Sequence, residues 1–112
     1  MTDTMIADTV DLAETMLDMG RRARAASRKL GQMTPADRTR GLQAVAAAIR
    51  ASASKVLAAN AQDMDAAEAK GLDAAMLDRL ALDAARLEGI ASSVEAVAGL
   101  PDPIGKELAR WE

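Results

Sequence analysis

The 112-residue sequence contains no cysteine, histidine, phenylalanine or tyrosine, and its one aromatic residue is Trp111. Each absence removes a class of chemistry. Without cysteine there is no disulfide frame, thiolate nucleophile or cysteine-ligated zinc, and without histidine there is no Ser-His-Asp triad or imidazole ligand. A single aromatic side chain cannot build a base-stacking platform. Fourteen basic against 17 acidic residues leave a net charge of −3 and a pI near 5.0, without the basic surplus that displaces counterions from nucleic acid. No apolar run approaches the roughly 18 residues needed to span a bilayer. Asp3, Asp8, Asp11 and Glu14 precede every Lys and Arg, the reverse of a secretory or mitochondrial signal. These features predict a soluble, cytoplasmic chain that engages neither nucleic acid nor membrane.

What the chain does have is alanine. Of its 56 hydrophobic residues 27 are alanines, which leaves 29 larger apolar side chains. Alanine loses no side-chain entropy in a helix, so the composition predicts an all-α chain of about five helices. The same count predicts a thin core and marginal stability, because little large apolar surface is available to offset ordering entropy.

Start and stop signals divide the chain. Residues 1–8 are expected to be disordered or frayed, 9–99 helical, and 100–112 a proline-rich turn leading out of the helical region. The first helix is expected from Thr9 to Leu30, with Val10, Ala13, Met16, Leu17 and Leu30 apolar and Gly31 as a left-handed stop. Its acids come first and Arg21, Arg22, Arg24, Arg28 and Lys29 come second, an order that suits the helix dipole. Those bases make either a phosphate-binding patch or a solvated face, and the solvated face is the better reading. Thr34 as N-cap, Pro35 at the first position and Asp37 in the first turn open a second helix. Leu42, Val45, Ala46, Ile49, Ala53, Val56 and Leu57 give it a continuous apolar face as far as about Asn60. Asn60 is expected to end that helix and cap a third, which carries Met64 and Ala67 and stops at Lys70-Gly71. Asp73 opens a fourth with Met76, Leu77 and Leu80 on its buried side. Asp83 opens a fifth, with Leu87, Ile90, Ala91, Val94, Val97 and Ala98 on one face and Gly99 at its end. Pro101 and Pro103 then forbid a helix, and residues 106–112 read equally as a strand or a frayed turn.

Candidate sites are few. No glycines have the G-x-G-x-x-G spacing, and Gly99 to Lys106 fails as a phosphate loop because five residues separate its glycines and Glu107 stands in the Ser/Thr position. There is no Gly-x-Ser-x-Gly elbow. Asp63, Asp65 and Glu68 are close enough for acid/base or metal work, although exposed capping acids explain them better. Arg79, set among apolar residues, reads as a buried or half-buried ion pair before a substrate clamp. Met16, Met64 and Met76 read as core gap-fillers.

From Asn60 onward the chain resembles the glutamate-5-semialdehyde dehydrogenase family, also called gamma-glutamyl phosphate reductase. The resemblance lies in Asn60-Ala61-Gln62-Asp63, Gly71-Leu72, Met76-Leu77-Asp78-Arg79-Leu80-Ala81-Leu82, Arg86-Leu87, Gly89-Ile90-Ala91 and Leu100-Pro101-Asp102-Pro103-Ile104-Gly105, in the family's order and spacing. Gly20 to Pro35 is also similar to the family's first helix and following loop.

The resemblance implies the aldehyde dehydrogenase superfamily. Its members have an α/β cofactor domain, a catalytic domain and an oligomerisation arm, and this stretch would be their helical start, leading at 100–112 toward the sheet. It further implies a proline-biosynthesis enzyme that reduces L-glutamate 5-phosphate with NADPH to glutamate 5-semialdehyde and phosphate through a thioester on a cysteine. No position here matches a catalytic, cofactor-binding or metal residue of that family, so none is assigned. The implied chain is an inactive N-terminal fragment that does not bind NADPH by itself, whose partner is the remainder of its own enzyme and whose Trp111 awaits packing partners. Two alternatives stand beside it, a free-standing helical interaction module and a helical hairpin that self-associates.

Overall fold

The computed structural model describes the backbone of residues 2–112 and side-chain environments from Asp11 onward. Five helices follow one another: α1 (Thr2–Gln32), α2 (Pro35–Ala51), α3 (Ala53–Ala69), α4 (Ala74–Leu80) and α5 (Ala84–Ala98). Among the described residues there is no strand, as the alanine-rich, β-poor composition predicts. The chain divides into two compact units, Met1–Thr34 and Pro35–Glu112.

The first unit is essentially α1. Its helix starts at Thr2 rather than Thr9, so the expected frayed lead-in is helical from Thr2, consistent with the lack of Gly or Pro before Gly20. Val10 lies outside the described side chains. Gly31 does not stop the helix, because the only left-handed glycines among the described residues are Gly71 and Gly105. Helical bonding runs on until Met33 N–H meets the Leu30 carbonyl, and Pro35 then disfavours helical backbone at Thr34. Every residue of α1 from Asp11 on is exposed. Met16 is therefore no core gap-filler.

In the second unit α2 starts at Pro35 as its signals predict, but ends early. The break falls at Ser52, whose backbone (φ −93°, ψ 5°) leaves the helical well and whose side chain caps nothing. Neither glycine nor proline marks this point, which is why periodicity ran the helix on to Asn60. Asn60 instead lies inside α3, is buried, and caps no helix. The end of α3 follows the expected stop: Gly71 turns left-handed (φ +79°), its N–H donates to the Glu68 carbonyl and Leu72 N–H donates to that of Ala67. This pair of bonds is the Schellman arrangement, which glycine adopts without a Cβ penalty.

Both predicted aspartate caps are present. Asp73 accepts from Met76 N–H at 2.9 Å and Asp83 accepts from Arg86 N–H at 2.7 Å, each satisfying an otherwise unpaired first-turn donor. On α4, however, only Leu77 is even half-buried, whereas Met76 and Leu80 are exposed. Seven residues make two turns, too little helix to cover both faces.

The core lies where α2 packs on α5. It consists of Ala46, Leu87, Ala91 and Ala98, joined by Ala67 and Asn60 of α3. Four of these five apolar residues are alanine, so helices can approach closely but bury little surface each. Ile90 and Val97, expected on the buried face of α5, remain about half exposed. The thin core anticipated from composition is what the structure contains. Beyond Gly99 the chain forms a turn, with Lys106 N–H donating to the Pro103 carbonyl and Gly105 left-handed at φ +83°. Residues 106–112 adopt neither strand nor helix, and Trp111 is 87 % exposed.

Candidate functional site

The second unit offers two open apolar grooves, and both arise because α2 and α5 are each apolar on more of their circumference than their mutual contact covers. The first, of about 340 Å³, is lined by Leu42 of α2, Val97 of α5 and Leu100, Pro101 and Ile104 of the turn. A polar latch holds its wall. Arg38 Nε donates to Asp102 Oδ2 at 2.8 Å, and Asp102 Oδ1 accepts the Ile104 N–H at 2.8 Å. Both side chains are mostly covered, at 16 % and 21 % exposure. The Arg38 guanidinium, helped by the Ile104 amide, holds the Asp102 carboxyl below its ordinary value. One aspartate therefore both shapes the Pro-Asp-Pro turn and ties it to the first turn of α2.

The second groove, of about 490 Å³, lies along the other side of the α2–α5 contact and is lined by Val45, Ile49, Val56, Leu82, Leu87 and Ile90. Near it Arg50 reaches across to α5. Its Nη2 lies 2.7 Å from Glu88 Oε1, and it also bonds Glu95. These bonds raise the Arg50 pKa still further and lower that of Glu88, chiefly through the Arg50–Glu88 hydrogen bonds. One guanidinium thus serves two carboxylates of α5 and orients the two helices.

A third device was not foreseen. The Asn60 amide donates from Nδ2 to the Leu80 carbonyl and accepts at Oδ1 from Leu82 N–H, both at 2.9 Å. Asparagine thus behaves as a piece of β-ladder, satisfying backbone groups of the α4–α5 connection that no helix can reach. An asparagine at the apolar spacing of Val56 and Ala67 was the available signal, but its caplike neighbours pointed to a helix end.

Other expected positions fall differently. Arg79 is exposed and is not the ion-paired residue of this region. That part is taken by Arg86, which donates to the Asp78 and Ala81 carbonyls and to the Asp78 carboxylate, since it projects back from the first turn of α5. Asp63, Asp65 and Glu68 are exposed, and among the described residues no cluster of three acidic side chains is placed to hold a metal ion. In the basic half of α1, Arg22 pairs with Asp18 one turn earlier at 2.9 Å, in keeping with the solvated-face reading. No helix among the described residues is long and apolar enough to cross a membrane.

Apart from Thr39 and the Arg38–Asp102 pair, the first groove is lined by apolar side chains. What the two grooves can do is receive apolar side chains of another element.

No protein-family model matches the chain. It is 75 % identical over 100 residues to a protein of Hyphomonas neptunium named gamma-glutamyl phosphate reductase, a match covering 89 % of this chain and 23 % of that one. A protein of the same name from Caulobacter vibrioides is 56 % identical over 86 % of this chain and 23 % of its own length. One from Rhodospirillum rubrum is 48 % identical over the whole of this chain and 26 % of its own length. The chain therefore spans about a quarter of the length of the curated relatives it matches, and by sequence it is similar to an N-terminal segment of proteins named gamma-glutamyl phosphate reductase.

Proposed function

We propose that this chain is the leading helical segment of a cytoplasmic, NADPH-dependent reductase of proline biosynthesis, which converts L-glutamate 5-phosphate to L-glutamate 5-semialdehyde and phosphate. The observation that carries the reading is 75 % identity to a relative of that name over 89 % of the chain. The segment supplies no nucleophile, cofactor contact or metal ligand, and its task is to cover and brace the remainder of its own enzyme. Two open apolar grooves whose polar neighbours are already satisfied suit that task, because a docking element then gains apolar burial without stranding a charge. One experiment separates this from a free-standing interaction module. The genomic reading frame beyond the Glu112 codon is expected to continue into a strand-rich region containing a cysteine, and a stop codon there would leave the module reading standing. The purified 112-residue chain is expected to oxidise no NADPH with the acyl phosphate and reduce no NADP with the semialdehyde. Turnover without any thiol would sink the assignment of the nucleophile to another part of the enzyme.

A further inference from the structure

We infer that residues 73–82, α4 with the connection that follows it, form a strap that opens as one unit while α3 and α5 stay folded, and that Asn60 and Arg86 hold it shut. Apolar packing holds it weakly. None of its residues is buried: Leu77, Ala81 and Leu82 are half-buried, and Met76 and Leu80 are exposed. With seven residues, α4 is too short to persist as a helix without support. That support is polar and comes from the helices on either side. Asn60 of α3 bonds the Leu80 carbonyl and the Leu82 N–H. Arg86 of α5 bonds the Asp78 and Ala81 carbonyls and the Asp78 carboxylate. The Asp78 carbonyl belongs to the last turn of α4, whose acceptors have no partner within the helix.

The neighbouring helices are closed without it. At the end of α3, Gly71 N–H bonds the Glu68 carbonyl and Leu72 N–H that of Ala67, both before the strap begins. At the start of α5, the Asp83 side chain accepts from Arg86 N–H, after the strap has ended. Lifting residues 73–82 therefore breaks no cap of α3 or α5. The backbone is free to swing at both ends, left-handed at Gly71 (φ +79°) and extended at Ala81 (ψ 129°) and Asp83 (ψ 177°). Once lifted, the released carbonyls, the Asn60 amide and the Arg86 guanidinium all bond to water. Opening then costs only the small net difference between protein and water hydrogen bonds, plus little apolar surface. Leu82 also lines the second groove, so an open strap removes part of that wall and a closed one completes it. This inference does not rest on the reductase reading.

Amide hydrogen exchange read by mass spectrometry tests the strap, on the protein as its gene encodes it and in urea below the unfolding transition. The amides of Leu77 to Ala81 are expected to exchange together, faster than those of α2 and α5. Their exchange should also depend less on urea, because opening the strap exposes little surface. Asn60→Ala is expected to speed exchange at 77–81 about tenfold, although Asn60 bonds none of those amides. Arg86→Gln is expected to act in the same direction from the other side. Asp102→Ala loosens the far end of the α2–α5 contact, and is expected to speed exchange in α5 while leaving 77–81 as they were. Exchange of 77–81 at the rate and urea dependence of α5 overturns the inference, since the strap would then open only with the whole unit. So does a response of 77–81 to Asp102→Ala equal to that of α5. The readout is exchange rather than turnover, so it holds whatever reaction the complete protein catalyses.

Discussion

The helix α1 and the unit formed by residues 35–112 are built from the same alanine-rich alphabet but held by different forces. In α1 the interactions are local: a favourable charge order and an Asp18–Arg22 pair one turn apart. In the second unit the decisive interactions join residues far apart in sequence: Arg38 with Asp102, Arg50 with Glu88 and Glu95, and Asn60 with the connection after α4. A thin core makes the second kind necessary. With alanine at most buried positions, apolar burial fixes the spacing of helices but leaves their rotation and connections loosely specified, and directional polar contacts supply what packing does not.

The contrast is open to direct test. Leu87 is the largest buried side chain of the second unit, at 5 % exposure. Leu87→Ala is expected to cost about 2–4 kcal/mol in urea unfolding, while amide exchange in α1 stays as it was. A matching loss of protection in α1 would show that the two regions are not independently stabilised. Asn60→Ala is expected to cost about 1–3 kcal/mol, since it strands a carbonyl and an N–H, and the Leu82 amide should lose protection first. Asp83→Ala removes a single cap and is expected to cost about 1 kcal/mol, with fraying confined to the start of α5.

The pH response should be smaller and should belong to the second unit. Asp102 and Glu88 have folded-state pKa values below their ordinary values of 3.8 and 4.5. Their stabilisation is therefore fully present above those ordinary values and is lost as pH falls through the depressed ones. Carboxyl titration followed by NMR should show Asp102 returning toward 3.8 in Arg38→Gln. An unchanged titration would remove the latch from the account. The least effect is expected in α1, where Arg22→Ala should change stability by at most about 0.5 kcal/mol, as for other exposed one-turn pairs.

How much of this was readable beforehand depended on the range of the interaction involved. Asp73, Asp83 and Gly71 announce caps and stops through residue types whose chemistry acts within a turn, and all three act as read. Ser52 is of a capping type but its side chain caps nothing, and with neither glycine nor proline beside it the break was invisible to periodicity. Asn60 and Arg79 were misread for a related reason. A cap and a clamp use the same amide, and two nearby arginines compete for one ion pair, so only the path of the chain decides which atoms meet. Met16 and Met76 show the same limit, because helical spacing says which residues share a face but not whether anything covers it.

Sequence alone settled that this chain is helical, thinly cored and without cysteine or histidine chemistry, since those follow from side-chain entropy, residue volume and the functional groups present. Tertiary structure decided where α2 ends, which arginine is paired, that an asparagine braces a connection, and that apolar grooves stay open on both sides of the α2–α5 contact. Those outcomes depend on which distant residues come within hydrogen-bonding or van der Waals reach.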